Sequence, residues 1–220
     1  MTVFSKIHDA FLSLVTRTDE KTDKLEKMSP AEFRAQAESL KIGREIPQSL
    51  ILFEYGSPIV RSAIWEIKFR GNRKIARLIA TLLYDELLER VSEEKMFGGA
   101  LRAPLLLPIP ISAKRFRERG WNQCEIITDE LQKLDGGQNF QIGKNILVKN
   151  KNTGDQVGRG RAERLKNLEN SFSVKKENEI RDRLVIVFDD VVTTGATMEE
   201  ANRALRASGA KKILFLAIAH

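Results

Sequence analysis

Two adjacent carboxylates, Asp189 and Asp190, stand at the end of an apolar run, Leu184-Val185-Ile186-Val187-Phe188. Val191, Val192, Thr193, Thr194, Gly195, Ala196 and Thr197 follow, and then a helix-forming stretch. Acids at the carboxyl end of a strand accept hydrogen bonds from vicinal hydroxyls. A loop of small residues entering a helix offers backbone N–H groups and a positive dipole end to a phosphate. The threonine hydroxyls add donors. Together these parts suit a phosphorylated sugar. The plainer alternative is a strand–turn–helix corner with Asp caps. It does not explain why two like charges crowd together, since at least one of such a pair needs a cationic or hydroxyl partner.

The chain has 220 residues, 42% hydrophobic and 30% charged, which fits one folded domain with a sizeable appendage or two small ones and argues against global disorder. No apolar run is long enough to span a bilayer. The first residues carry an acid, Asp9, and lack a secretory apolar region, so a cytoplasmic protein is expected. A single cysteine, Cys124, excludes an intrachain disulfide and a Cys-cluster zinc site. Neither His8, on an amphipathic stretch, nor His220, the last residue, suggests a metal site. The net charge of +7 favours anionic partners, either nucleic acid or phosphorylated small molecules.

The acids and their loop need a scaffold. Phe4, Ile7, Phe11 and Leu14 share one helical face. Ser29-Pro30-Ala31-Glu32 reads as a capping box opening a helix that Gly43 would end. Residues 51–55 read as a strand. Ser57-Pro58 opens a helix to about Phe69, with Gly71 behind it, and 74–90 has amphipathic helix spacing. Beyond Gly98-Gly99 the pattern alternates: strands at 105–109, 146–148, 172–174, 184–188 and 213–219, and helices at 122–134 and 197–207. Such alternation predicts a parallel α/β sheet, with the ligand at the carboxyl ends of its strands. The polar, Gly-bearing stretch 150–164 is too long for a mere connection. Trp65 and Trp121 are expected in the core, and Cys124 as a buried, inert thiol.

The 185–197 segment resembles the phosphoribosyl-pyrophosphate motif of type I phosphoribosyltransferases. Further stretches narrow the likeness: Ile64-Trp65-Glu66-Ile67-Lys68-Phe69-Arg70-Gly71, the run Leu107 to Gln123 with Arg119-Gly120-Trp121-Asn122-Gln123, then Thr153 and Gln156, then Arg164 to Phe172. In this order the chain resembles the ComF family (competence-protein-F-like phosphoribosyltransferase homologues) from about residue 50 onward. Most such proteins begin with a small zinc module of paired CxxC motifs, which this sequence does not contain.

The resemblance implies a type I phosphoribosyltransferase fold: a mostly parallel twisted sheet with flanking helices over 100–220, and an N-terminal helical lobe over 1–99 whose residues 50–90 are integral to the core. It implies that Asp189 and Asp190 meet the ribose hydroxyls near a Mg²⁺ chelated by the diphosphate, and that Val191 to Thr197 cradle the 5′-phosphate. Ile111 and Ser112 would form the diphosphate loop, with Arg115 and Arg119 neutralising it. Residues 150–164 would form the closing hood, bringing Lys151, Thr153 and Gln156 over the substrate. Thr193 stands where relatives acting on 6-oxopurines carry an Asp, which disfavours those bases. Two functions remain open at this point. One is transfer of phosphoribosyl to a nitrogen acceptor. The other is a non-catalytic competence or DNA-uptake role, binding single-stranded DNA or a competence protein. A homodimer is a family-level expectation.

Overall fold

The computed structural model describes residues 20–37, 49–98, 102–150 and 170–220, with the side chains of 94–98 outside that description. Helix α1 (20–26) and α2 (Pro30–Gln36) come first. The predicted capping box is present: the Ser29 hydroxyl accepts the Glu32 N–H, and the Glu32 carboxylate accepts the Ser29 N–H. α2 stops at Gln36, well short of Gly43, because Ala37 turns extended. Only Phe33 of this short helix is buried, and a helix without a longer buried face is not held by propensity alone. Phe33 packs edge-on against Phe53 of β1 (Ser49–Phe53), with centroids 5.6 Å apart.

Helix α3 (Pro58–Arg70) ends on Gly71 in the left-handed region, φ 63°. α4 (Arg73–Gly98) follows, and then β2 (Leu105–Pro108), α5 (Ala113–Arg119), α6 (Gln123–Asp135) and β3 (Gln141–Ile142). α5 and β3 are additions to the sequence reading. Next come β4 (Leu147–Lys149), β5 (Phe172–Val174), the short α7 (Glu177–Ile180), β6 (Leu184–Val191), α8 (Ala196–Ala207) and β7 (Lys212–Ala219).

Among the described residues five strands form one parallel sheet in the order β1-β7-β6-β2-β3. β6 lies at its centre and is buried from Leu184 through Asp190, which is why it reads as continuous Leu, Val, Ile and Phe rather than as an alternation. α6 packs on β2, β3 and β6, and α3 and α4 pack against α6. β4 does not join this sheet. It pairs antiparallel with β5 into a separate ribbon beside α8.

Trp65 is a correction. It is 45% exposed. The buried stripe of α3 is Val60, Ala63, Ile64 and Ile67, and Trp65 lies one residue round the helix from that stripe. The stretch 3–15, Gly43, Gly99 and the 151–169 segment lie outside the described residues. Among the described residues no helix is long and apolar enough to cross a membrane.

Candidate functional site

β2 and β6 are parallel neighbours, yet the chain leaves them in opposite directions: β2 leads outward to β3, and β6 leads to β7. The crevice beyond the carboxyl ends of two such strands is where open α/β sheets bind ligands. Two loops share that crevice. One runs from Ile109 to Ser112 after β2, the other from Val192 to Gly195 after β6.

Asp189 and Asp190 sit at the crevice end of β6, both largely buried. The first turn of α6 reaches them. Gln123 Nε2 donates to Asp190 Oδ2 at 3.3 Å, and the Cys124 thiol points at Asp189 Oδ1 across 3.9 Å. The backbone N–H of Asp190 donates to Asp189 Oδ1 at 2.9 Å. Burial, with the Asp190 charge added, raises the Asp189 carboxyl well above the ordinary carboxylate range, while the Asp190 N–H and Lys149 oppose the shift. Burial and the two acids likewise push the Cys124 thiol well up, so it stays protonated, as expected for an inert thiol. Cys124, Asp189 and Asp190 bring their ligand atoms within 4.8 Å of one another.

The Arg-Gly-Trp-Asn-Gln run acts as a brace behind this pair. Asn122 caps α6 by accepting the Cys124 N–H, and its amide donates to Ile109 O at 2.9 Å. Ile109 N–H in turn donates to Phe188 O at 2.8 Å. The Asn122 side chain therefore ties the first loop to α6, and the Ile109 backbone ties the same loop to β6. The half-buried Trp121 donates its indole N–H to Ile67 O and lies flat on Gly71, where an added Cβ would come within 3.2 Å of the ring. Only glycine allows both that approach and the positive φ.

The other predicted residues fall as follows. Ser112 is buried and caps α5, its hydroxyl accepting the Arg115 N–H at 3.3 Å. Ile111 and Arg115 are partly exposed, and Arg115 is close enough to Lys149 to act on its charge. Arg119, at the far end of α5, leans over the Phe69 ring at 5.0 Å and donates to Gln123 Oε1 at 3.5 Å. Gly195 takes φ 78° as the N-cap of α8 without a side-chain cap, so the first N–H groups of this helix face the crevice loop. Thr193 is exposed, Thr194 and Thr197 are partly so, and Val192 and Ala196 are buried anchors. Lys151, Thr153 and Gln156 lie outside the described residues.

Three site residues escaped the sequence reading. Lys149 ends β4 and is brought beside Asp189 and Arg115, and burial, with Arg115 next, lowers its ammonium to about 8. Its position after an apolar run, at the mouth of a long polar loop, was a usable signal. Lys68 of α3 contributes a weak positive field at Cys124. Glu200 of α8 accepts both Arg203 nitrogens at 2.8 Å and the N–H groups of Phe172 and Ser171, tying the β4–β5 ribbon to α8. Burial raises the Glu200 carboxyl, but Arg203 and those amides outweigh it and hold it below the usual range.

A parallel sheet whose switch point carries an acid pair beside a Thr-Gly loop defines a phosphoribosyltransferase-type domain, and a family model described as "Phosphoribosyl transferase domain" matches residues 132–219. The chain is 32% identical to "Competence protein F" of Haemophilus influenzae over 68% of its own length and 63% of that protein's. It is 28% identical to "DNA utilization protein YhgH" of Shigella flexneri over 76% and 69% of the two lengths, and 27% identical to "Competence protein ComFC" of Bacillus subtilis over 69% and 55%. The chain belongs to the ComF family of type I phosphoribosyltransferase-like proteins. It spans less than two thirds of the Haemophilus and Bacillus relatives.

Proposed function

We propose that the crevice binds Mg²⁺-phosphoribosyl pyrophosphate, or a related ribose 5-phosphate, and transfers the phosphoribosyl group to a nitrogen acceptor. One observation carries this reading: β2 and β6 pair in register at the switch point, so the 109–112 loop, the acid pair and the 192–195 loop lie on one edge. These are an anion loop, a hydroxyl-binding pair and a second anion loop.

In this reading Asp189 and Asp190 accept the ribose 2′- and 3′-hydroxyls. The amides of 194–197 and the threonine hydroxyls hold the 5′-phosphate, and the 109–112 amides with Arg115 and Lys149 meet the diphosphate. The bond from C1 to the diphosphate oxygen breaks with its electron pair leaving on pyrophosphate, and a C1–N bond forms. Positive charge building on the ribose favours a nearby ionised acid, and the departing negative charge favours Arg115 and Lys149. The donor set fits Mg²⁺: two adjacent carboxylates supply hard oxygens, and the thiol beside them is held protonated. Bound there, Mg²⁺ would neutralise diphosphate charge.

The test is calorimetric titration of phosphoribosyl pyrophosphate with Mg²⁺ into wild type and Asp189→Asn/Asp190→Asn. Binding that the double variant loses supports the reading. No heat, with no competition by ribose 5-phosphate, overturns it. A second reading takes its support from the names of the relatives and the +7 charge: the crevice mouth holds single-stranded DNA rather than a free sugar phosphate. Oligo-dT binding that weakens along a salt series, and that ribose 5-phosphate displaces, would favour it.

A further inference from the structure

The outer side of α3 bears a patch that the crevice chemistry does not use. Trp65 and Phe69 are 45% and 48% exposed, and their ring centroids lie 5.5 Å apart. Beside Trp65 a groove of about 350 Å³ opens between α1 and α3, lined by Lys21, Leu25, Pro58, Arg61, Trp65 and Glu66. Its apolar walls are Leu25, Pro58 and the Trp65 ring. Lys21 and Arg61 are exposed at its rim and make no ion pair among the described residues. Glu66 is buried against it. One of its oxygens accepts the Thr22 hydroxyl at 2.8 Å and pairs with Arg70 at 3.3 Å, while Oε2 has no hydrogen-bond partner among the described residues.

We propose that this groove is a docking site for an acidic peptide segment of a partner protein, anchored by one tryptophan or tyrosine. The anchor ring fills the apolar walls against Trp65. Flanking Asp or Glu residues of the segment meet Lys21 and Arg61 at the rim. A buried aromatic with a polar tip, ringed by charge, is the usual make-up of an interface hot spot.

Charge and geometry disfavour the other occupants. Nucleic acid would stack successive bases on both rings, yet Arg119 and Lys68 cover Phe69 at 5.0 and 5.7 Å, which leaves the groove side of Trp65 alone for a single ring. A second copy of this chain would bring the same cationic rim against this one.

A random peptide library displayed on phage is panned on the wild-type protein, and the enriched peptides are measured by fluorescence anisotropy against wild type, Trp65→Ala and Arg61→Glu. Both side chains are exposed, so the variants are expected to fold, and thermal melts check this. The expected consensus is one Trp or Tyr flanked by Asp or Glu. Each substitution should weaken binding by roughly tenfold or more, the range of a hot-spot truncation. Four results overturn the proposal: no enrichment, enrichment without acidic bias, binding unchanged in both variants, or oligo-dT binding that Trp65→Ala abolishes. A concentration-dependent dimer that disappears in Trp65→Ala would reassign the patch to a second copy of this chain.

Discussion

Asp189→Asn should stabilise the protein while destroying its ligand site. The buried Asp189 carboxyl is raised well above its ordinary value, by burial first and by Asp190 second. A raised carboxyl binds its proton more tightly folded than unfolded, where the value is about 3.9. Its contribution to stability is therefore whole below that unfolded value. It is lost as pH rises toward the folded value, and the loss is constant above it. Each unit of elevation is about 1.4 kcal/mol. Asparagine removes the charge and keeps Oδ1 as acceptor for the Asp190 N–H, so the variant should be the more stable protein at pH 7. For a chain of this size each kcal/mol gained raises Tm by about 2–4 °C. The assay is urea unfolding of both proteins from pH 4 to pH 8. The gap should be small at the acid end and widen as pH rises. A variant less stable than wild type at pH 7, or a gap independent of pH, would refute the reasoning and make Asp189 a net structural acid.

Four further outcomes are expected. With its ammonium near 8, Lys149 is roughly three quarters neutral at pH 8.5, so binding of a ribose phosphate there should draw up a proton. Calorimetry in two buffers of different ionisation enthalpy reads this, and Lys149→Gln should abolish it. Gly71→Ala should cost about 1–2 kcal/mol from the left-handed backbone alone, plus the approach to Trp121. Gly120→Ala, where φ is 83° but nothing lies within 4 Å, should cost the backbone part only, and chemical denaturation compares the two. Cys124 should resist a thiol reagent in the native protein and react on unfolding, followed by absorbance. Gln123→Leu should leave the fold intact and weaken ligand binding, since it removes the amide that orients Asp190.

The strands and the acid pair were legible because burial on both faces writes a continuous apolar run, and β6 is the longest such run beside a Thr-Gly loop. The order of strands was not, because nothing local records that β1 pairs with β7 or that β4 leaves the sheet for a ribbon. Trp65 misled through its size: its hydrophobicity argues for burial, but the phase of α3 is set by Val60, Ala63, Ile64 and Ile67. Lys149 and Glu200 went unread because their roles arise from neighbours distant in sequence, Asp189 for one and the Ser171–Phe172 backbone for the other. The Arg-Gly-Trp-Asn-Gln run was legible as a motif, whereas its work, bracing Gly71 and Ile109, needed three dimensions.

The pairing of β1 with β7 has a consequence for how the chain is made. Ser49 lies opposite Phe215, and the Tyr55 N–H and Phe53 carbonyl bond to the backbone of His220. Among the described residues β1 has no other neighbour in the sheet. During synthesis it therefore emerges long before its partner, and α3 and α4 must wait beside an unpaired edge until β7 has left the ribosome. Contacts this distant in sequence fold slowly and leave strand edges open to other chains. Overproduced protein should accordingly be lost to aggregation at the nascent stage more than after folding, and slower translation or a holding chaperone should raise its soluble yield.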